Sequence, residues 1–230
     1  MDMKRLVLAV LCLPFLGTAL LAQQPNKEVR QLEAFDRIRV SKGINVTLVD
    51  GEQPQAEILI ENASTEDVII EQKGRDVTIK MRTMIKKDVA VNVYLSYQDL
   101  REISTGTGGS VFCEDLVEAD QLVLEAGMDG NIDLEVDAKK LMVSASAARI
   151  EVRGTADYID VRTSTGSKYL GANLKAKEAY IKANTGSLAQ VWVSEKLDAT
   201  VGSGARIEYA GNPAQKEIKQ TFGGKVEQMQ

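Results

Sequence analysis

The chain of 230 residues contains no histidine and only two cysteines, four prolines and one tryptophan. The lack of histidine excludes the Ser-His-Asp and Cys-His catalytic arrangements and removes the commonest metal ligand. Because Cys12 falls in a predicted leader, Cys113 would stand alone and no intramolecular disulfide could form. We therefore predict no catalytic, cofactor-binding or metal-ligating residues, and a fold stabilised by packing and backbone hydrogen bonds.

Concentrated positive charge is also missing. The chain has 28 Lys and Arg residues against 33 Asp and Glu residues, with a net charge of −5. No basic cluster is dense enough to bind nucleic acid or an anionic membrane surface. We expect no nucleic-acid partner.

Long apolar runs are lacking beyond the first residues. Two basic residues precede an apolar run over residues 6–21, which Pro14 and Gly17 interrupt. The run is too broken for a membrane span, and it ends in a small-residue cleavage site at Ala22. The pattern predicts a signal peptide over residues 1–22 and no stable span in the mature chain. We expect an exported protein of the periplasm, the outer membrane or the cell surface.

Helical periodicity is not sustained anywhere, whereas one short phrase recurs six times. Each copy has an apolar residue, a polar residue, a cluster of Gly, Ser, Thr and Ala, and then another apolar residue. The lead apolar residues are separated by 18 to 21 positions, as expected of stacked coils in a solenoid. They are Ile103, Leu124, Val143, Val161, Ile181 and Ala199.

Two further apolar positions recur with the lead residues. One lies two residues upstream in five of the six repeats, at Leu122, Leu141, Ile159, Ala179 and Leu197. The other follows the small residues, at Val111, Ile132, Ile150, Tyr169, Leu188 and Ile207. Because one thin coil cannot bury its own apolar face, we predict an all-β parallel β-helix with coils of about 18–21 residues. The hydroxyl residues before the corner glycines, at Thr107, Thr165, Thr185 and Ser203, would form a ladder.

The remaining segments are divided as follows. Residues 23–34 are predicted to be a loose polar leader, and residues 35–213 a single β-helical domain. Within it, residues 35–100 form a regular β segment at the N-terminal end and residues 101–211 the repeat coils. Asn212-Pro213 would end the last coil, and residues 214–230 would be a cap or tail with one helical turn or an irregular cap over residues 216–222.

Two groups of residues resemble ligand sites without completing the pattern. Asp129, Asn131 and Asp133 have the spacing that opens a calcium loop, but the glycine and glutamate required later are replaced by Leu134 and Lys140. The segment 106–109 resembles a phosphate loop but lacks the following lysine and helix. We interpret both as structural.

Two other groups bear on function. Glu135, Glu151 and Arg153 could lie together on an outer face, as acid, base and uronate-binding groups of a polysaccharide-cleaving enzyme would. Aromatic residues recur on successive coils, and those that face outward could form a sugar-stacking stripe. They are Tyr158, Tyr169, Tyr180, Trp192 and Tyr209.

The chain resembles a family of bacterial envelope proteins, the "putative auto-transporter adhesin, head GIN domain" family, a domain of unknown function. The triplet Gly43-Ile44-Asn45 follows Phe35-Asp-Arg-Ile-Arg-Val-Ser, and Gly-Ser-Gly-like corners recur at residues 105–108, 164–167 and 202–204. The ending Ile207-Glu-Tyr-Ala-Gly-Asn-Pro213 is also similar. The resemblance implies a right-handed parallel β-helix and residence in the envelope of a Bacteroidetes-type bacterium. It supplies no established catalytic residues.

These observations favour a non-enzymatic, exported binding or scaffold protein of the cell envelope, adhesin-like, with a glycan or another envelope protein as its ligand. The alternative is a polysaccharide lyase or glycosidase on the same scaffold. Exposed coil edges would also allow weak self-association.

Overall fold

The computed structural model describes residues 25–83 and 89–229, which are almost entirely β-structure. The predicted signal peptide lies outside the described residues. One 3₁₀ turn at Thr65–Asp67 interrupts sixteen strands in the described part of the chain. The strands are β1 Asn26–Gln31, β2 Arg37–Ser41, β3 Asn45–Asp50, β4 Gln55–Glu61, β5 Val68–Lys73, β6 Asp76–Met81, β7 Ala90–Tyr97, β8 Glu102–Gly106, β9 Ser110–Gly127, β10 Asn131–Ser146, β11 Arg149–Ser164, β12 Lys168–Ala183, β13 Leu188–Val201, β14 Arg206–Ala210, β15 Gln215–Gln220 and β16 Lys225–Gln228.

The predicted solenoid is confirmed. The long strands β9 to β13 each run through most of one coil and pair in parallel with the coils on either side. The six lead residues are in direct register and buried, and Ile38 precedes them in the same column. The alternation of inward aliphatic and outward polar residues along each strand therefore builds one continuous apolar core.

One kind of corner repeats between the two faces of the coils. At the sharpest corners, two consecutive residues adopt positive φ, such as Thr165 (53°) with Gly166 (68°). The Ser167 amide donates to the Ser164 carbonyl at 3.1 Å, closing a tight turn of the type that tolerates glycine, asparagine and aspartate best. Met128 and Asp129 adopt the same conformation without glycine.

Backbone hydrogen bonds link one corner to the next at the positions where a hydroxyl ladder was predicted. The Gly166 amide donates to the Thr185 carbonyl at 2.9 Å, and the Gly186 amide donates to the Ser203 carbonyl at 3.0 Å. A side-chain bond from Ser146 Oγ to Thr165 Oγ1, at 3.3 Å, adds to these backbone links. The expected hydroxyl ladder is thus replaced by a ladder of amide–carbonyl bonds.

The prediction of the third apolar column is wrong at one position. Ala189, not Leu188, pairs with Tyr169 and Ile207 and faces the core, while Leu188 lies outward between two basic neighbours. The reason is volume. Tyr169 is fully buried, and its ring folds over Gly171, so the next coil accommodates it with a small alanine.

The N-terminal third continues both faces of the solenoid but in a different chain order. Strands β2 and β3 lie between the β6–β7 coil and the β8–β9 coil, pairing in parallel with both. Beyond β6 and β7, pairing becomes antiparallel, through β5 on one face and β4 on the other. Strand β1 pairs with β4, so the prediction of a loose leader is wrong for residues 26–31.

The C-terminal end is another coil rather than a cap. Strand β15 pairs with β13 and strand β16 pairs with β14, both in parallel. A turn at Phe222 and Gly223 joins them with positive φ values of 47° and 76°. Asn212-Pro213 does not end the solenoid, and the helical turn or irregular cap expected at residues 216–222 is strand β15 and the start of that turn.

Candidate binding groove

A row of alanines marks the second corner of each coil. Ala119, Ala138, Ala156 and Ala176 are in register across four coils. Outward residues stand on both sides of this row, and the space between them is an open groove of about 740 Å³, here called the corner groove. The groove forms because the alanines are too small to fill the bend, which leaves the flanking side chains standing as two ridges.

The first ridge mixes acids, a hydroxyl, a base and an aromatic ring. Its register runs from Glu118 through Asp137, Thr155 and Lys175 to Trp192. Thr155 Oγ1 donates to Asp137 Oδ1 at 2.7 Å. The Lys175 ammonium lies 4.3 Å from the centroid of the Trp192 ring, within cation–π range.

The second ridge consists of oppositely charged pairs. Lys139 Nζ lies 2.6 Å from Asp120, and Lys177 Nζ lies 2.7 Å from Asp157. The hydrogen bond from Lys139 lowers the pKa of Asp120, and the bond to Asp120 raises the pKa of Lys139. All four groups are solvent-exposed, so the pairs add little to stability but offer donors and acceptors in alternation along the groove.

A pair of tyrosines borders the groove next to this ridge. The rings of Tyr158 and Tyr180 lie with their centroids 5.2 Å apart on the outer face. Lys140 Nζ is 5.6 Å from the Tyr158 ring centroid, and Lys196 donates to Tyr180 Oη at 2.5 Å. Partial burial raises the pKa of Tyr158. Tyr158 follows Asp157 of the second ridge directly, so the aromatic pair begins at the residue next to the groove lining.

Of the five aromatic residues considered for a sugar-stacking stripe, the structure places three on the outside. Tyr158, Tyr180 and Trp192 are partly exposed on the outside, whereas Tyr169 and Tyr209 are buried in the core. The alanine floor of the groove was not predicted from the sequence. Its signal was available, because these alanines recur at 18 to 20 residues, the same spacing as the lead residues.

The three residues considered for polysaccharide cleavage do meet on one outer face. Glu135 and Arg153 are register partners, and Arg153 Nη1 lies 3.9 Å from Glu151 Oε1. However, Arg153 binds Asp133 at 2.6 Å and Arg149 binds Glu151 at 2.6 Å. Each of these two carboxylates is therefore paired with a guanidinium group.

The two incomplete ligand patterns have structural positions. Asp129 occupies a corner with φ of 62°, and Asp133 is the ion-pair partner of Arg153. Over residues 25–83 and 89–229, no three Asp, Glu, Cys or His side chains are grouped as a metal site would require. In the segment 106–109, the Gly109 amide donates to the Gly106 carbonyl at 3.0 Å, closing a corner turn. Within the same described ranges, no helix has the length and hydropathy needed to cross a bilayer.

Comparison with known proteins gives one family match and several similar folds. The family model described as "Putative auto-transporter adhesin, head GIN domain" matches residues 34–213. No curated protein matches the chain. A solved structure titled a putative adhesin from Bacteroides fragilis NCTC 9343 is 18% identical, with a TM-score of 0.82, covering 90% of this chain and 98% of that chain.

Two further solved structures have the same fold. A putative adhesin from Parabacteroides merdae ATCC 43184 is 17% identical, with a TM-score of 0.72, covering 91% of this chain and 98% of that chain. A protein titled "Putative lipid binding protein" from Parabacteroides distasonis ATCC 8503 is 16% identical, with a TM-score of 0.70 and the same coverage. At such identities the similarity establishes the fold alone.

Proposed function

Because the chain belongs to the family described as "Putative auto-transporter adhesin, head GIN domain", we propose that it is an exported, non-enzymatic binding protein of the bacterial cell envelope and that its ligand is a glycan held in the corner groove. The observation that carries this proposal is the set of outward aromatic rings, Trp192, Tyr158 and Tyr180, beside a groove lined by hydrogen-bonding side chains.

The chemistry of the groove fits a sugar chain. Aromatic faces pack against the apolar faces of sugars, while hydroxyl groups need donors and acceptors at close spacing. Neighbouring coils repeat at about 4.8 Å, so the five members of the first ridge extend over about 19 Å. The ligand would therefore be an extended polymer that contacts several coils at once.

The rigidity of the scaffold supports binding through many modest contacts. The ridges stand on strands that pair on both sides, so few backbone groups need ordering when a ligand binds. Contacts repeated along one stiff polymer then add in the manner of multivalent recognition.

A glycan fits the groove better than a lipid or a reaction centre. The walls carry charged groups, among them Glu118, Asp120, Asp137 and Lys139. An acyl chain would remove these groups from water without offering them hydrogen bonds in return. On the neighbouring face, the carboxylates of Asp133 and Glu151 are held by guanidinium groups, which argues against general acid–base catalysis. Export is supported by the predicted leader over residues 1–22.

The test is binding of the purified protein to an array of bacterial and host glycans, followed by titration of any hit. Trp192→Ala and the double variant Tyr158→Ala/Tyr180→Ala should weaken binding about ten-fold or more, as expected of truncating aromatic anchors. Tyr94→Ala is the matched control, because Tyr94 is 43% exposed on β7, outside the groove, and it should bind as the parent does.

Three results would reject the proposal. An array without hits, together with capture of an envelope protein that depends on Trp192, would replace the glycan by a protein ligand. Equal binding by Trp192→Ala and the parent would show that the glycan site lies outside the corner groove. Release of reducing ends or unsaturated uronates, lost in Glu151→Gln, would make the protein an enzyme.

A further inference from the structure

We propose that two copies of this chain associate through their C-terminal coils, β15 against β15 and β16 against β16, around a two-fold axis. This surface is separate from the corner groove, and its occupant is a second copy of the same chain. The inference comes from the exposed aliphatic residue at the end of the core and from the charge pattern of the last two strands.

Side chains cover part of the N-terminal end, where the outermost strands β1 and β5 each pair with one strand only. Counted from β9, four strands extend each face toward this end, to β1 on one face and to β5 on the other. Arg30 on β1 donates to the Val68 carbonyl at 2.7 Å and to the Thr65 carbonyl at 2.9 Å, and Asn26 donates to the Ala63 carbonyl at 2.9 Å. Side chains thus satisfy carbonyls at this end, as proteins commonly do to block association through strand edges.

The C-terminal end is also open in the described residues. Strand β15 stacks on β13 and strand β16 on β14, and each pairs with one strand only. Ile218 continues the lead column, yet it is 39% exposed, while the column members Ile103 to Ala199 are buried. The apolar core therefore ends in an uncovered surface between two free strand edges, which can template further pairing.

The sequence of this edge is complementary to itself. In β15, Ile218 is flanked by Glu217 and Lys219. Antiparallel pairing of two copies centred on Ile218 places Glu217 of each copy opposite Lys219 of the other and brings the two isoleucines together. Opposite charges and aliphatic residues in directly opposed positions stabilise antiparallel pairs.

Strand β16 repeats the pattern with the charges reversed. Val226 stands between Lys225 and Glu227, so pairing centred on Val226 again opposes unlike charges. Ile218 and Val226 face the core from the two sides of the turn at residues 222–223. One two-fold axis through both residues satisfies both edges, as an isologous interface requires.

The turn residue Phe222 is consistent with this register. It is 88% exposed and adopts positive φ, a conformation that costs a bulky side chain stability. Pairing centred on Ile218 places Phe222 of one copy beside Ala214 of the other. A large apolar residue that is unfavourable in the isolated turn would thus be covered in the dimer.

The experiment is sedimentation velocity or light scattering of the purified protein from micromolar to millimolar concentration. We expect the mass to rise to twice that of one chain and no further. Glu217→Lys should weaken the dimer about ten-fold, because two Lys–Lys oppositions replace two ion pairs. The double variant Glu217→Lys/Lys219→Glu should restore it. On β16, Lys225→Glu and the double variant Lys225→Glu/Glu227→Lys provide the same test independently.

Two controls separate association from folding. Glu125→Lys makes the same charge change on an exposed position of β9, in the middle of the same face, and should leave the dimer unchanged. Phe222→Asn should raise the thermal midpoint of the diluted protein, because asparagine tolerates positive φ, and yet weaken the dimer.

The outcomes are decisive in each direction. A monomer at every concentration overturns the proposal, and so does a mass that grows beyond two chains, since that would indicate head-to-tail contact. A dimer that responds equally to the single charge reversal and to the double exchange also overturns it. Loss on single reversal with recovery on exchange supports it.

Discussion

Gly154 lies so close to the backbone of Val136 that a Cβ atom on the glycine would stand 2.1 Å from the Val136 carbonyl oxygen. The two residues are register partners on neighbouring coils, and Gly154 has a φ of 105°. Gly211 stands in the same relation to the Val193 carbonyl, again at 2.1 Å. At these bends the coils approach each other more closely than any side chain permits.

Gly154→Ala should lower the free energy of unfolding by about 3 kcal/mol, because both the contact and the positive φ oppose a methyl group. Gly166→Ala is the matched control. It also has positive φ, but nothing lies within 4 Å of its added Cβ, so about 1 kcal/mol should be lost. Urea denaturation measures both. Equal losses would mean that the close approach at Gly154 relaxes freely.

Thr185 occupies a corner with φ of 53°, a conformation that is strained for a β-branched residue. Thr185→Asn should raise the free energy of unfolding by about 0.5 to 1 kcal/mol, because asparagine tolerates this region. Thr200→Asn on strand β13 is the comparison and should lower stability, because asparagine is unfavourable in strands. The expectation fails if both substitutions change the thermal midpoint in the same direction.

Tyr169 is fully buried, and its hydroxyl has no hydrogen-bond partner among the described residues. Tyr169→Phe should therefore raise the free energy of unfolding by about 1 kcal/mol at neutral pH, since an unsatisfied polar group is removed. A loss of stability of that size would instead indicate that the hydroxyl is bonded to a buried water.

The same residue predicts a pH dependence. Burial raises the pKa of Tyr169 above its ordinary value of 10.0, so the folded state keeps the proton that the unfolded chain releases. The resulting stability is present below pH 10 and is lost as the pH rises above it. Between pH 9 and 11, the thermal midpoint should fall less steeply with rising pH for Tyr169→Phe than for the parent. Burial also raises the pKa of Tyr97, which is present in both proteins. Part of the dependence of stability on pH should therefore remain in Tyr169→Phe.

Cys113 should be inert in the folded protein. Its thiol is buried, 3.6 Å from the Leu48 carbonyl oxygen, and burial raises its pKa. In a chain with Cys12 replaced by serine, alkylation at pH 8 should be slow without denaturant and fast in guanidinium. A cysteine placed at exposed Glu125 provides the reactive reference. Fast labelling of the native thiol would show that the core opens at this position.

The central coils could be predicted from sequence because their signal is redundant. Each coil repeats the same apolar column beside a corner of small residues, so an error in one coil is corrected by its neighbours. The error at Leu188 arose where that redundancy fails. There the core position is Ala189, whose small size compensates for Tyr169 in the adjacent coil, and alanine carries little hydrophobic signal.

The two ends were less predictable for a physical reason. Terminal strands bury one edge and part of one side only, so they require few apolar residues. Strand β15 has Ile218 as its one large aliphatic residue, and β1 has only Val29. Without alternation, both segments resemble polar tails, and their pairing is visible only in the three-dimensional register.

The groove was predictable in part. The aromatic residues were recognised, but which of them face outward depends on the bend after each strand, and that bend shifts the alternation of inward and outward positions. Tyr158 and Tyr169 are both aromatic residues of successive coils, yet the register assigns one to the surface and the other to the core.

The interleaved position of β2 and β3 has a consequence for how the chain folds from its amino terminus. Strand β2 gains its two neighbours only when residues 76–80 and 102–106 arrive, long after it has itself emerged. A polypeptide delivered from its amino terminus must therefore hold about seventy residues without a finished layer. After residue 106, each new coil can pair at once with the coil that precedes it in the chain. The remaining coils can therefore form one after another as they emerge.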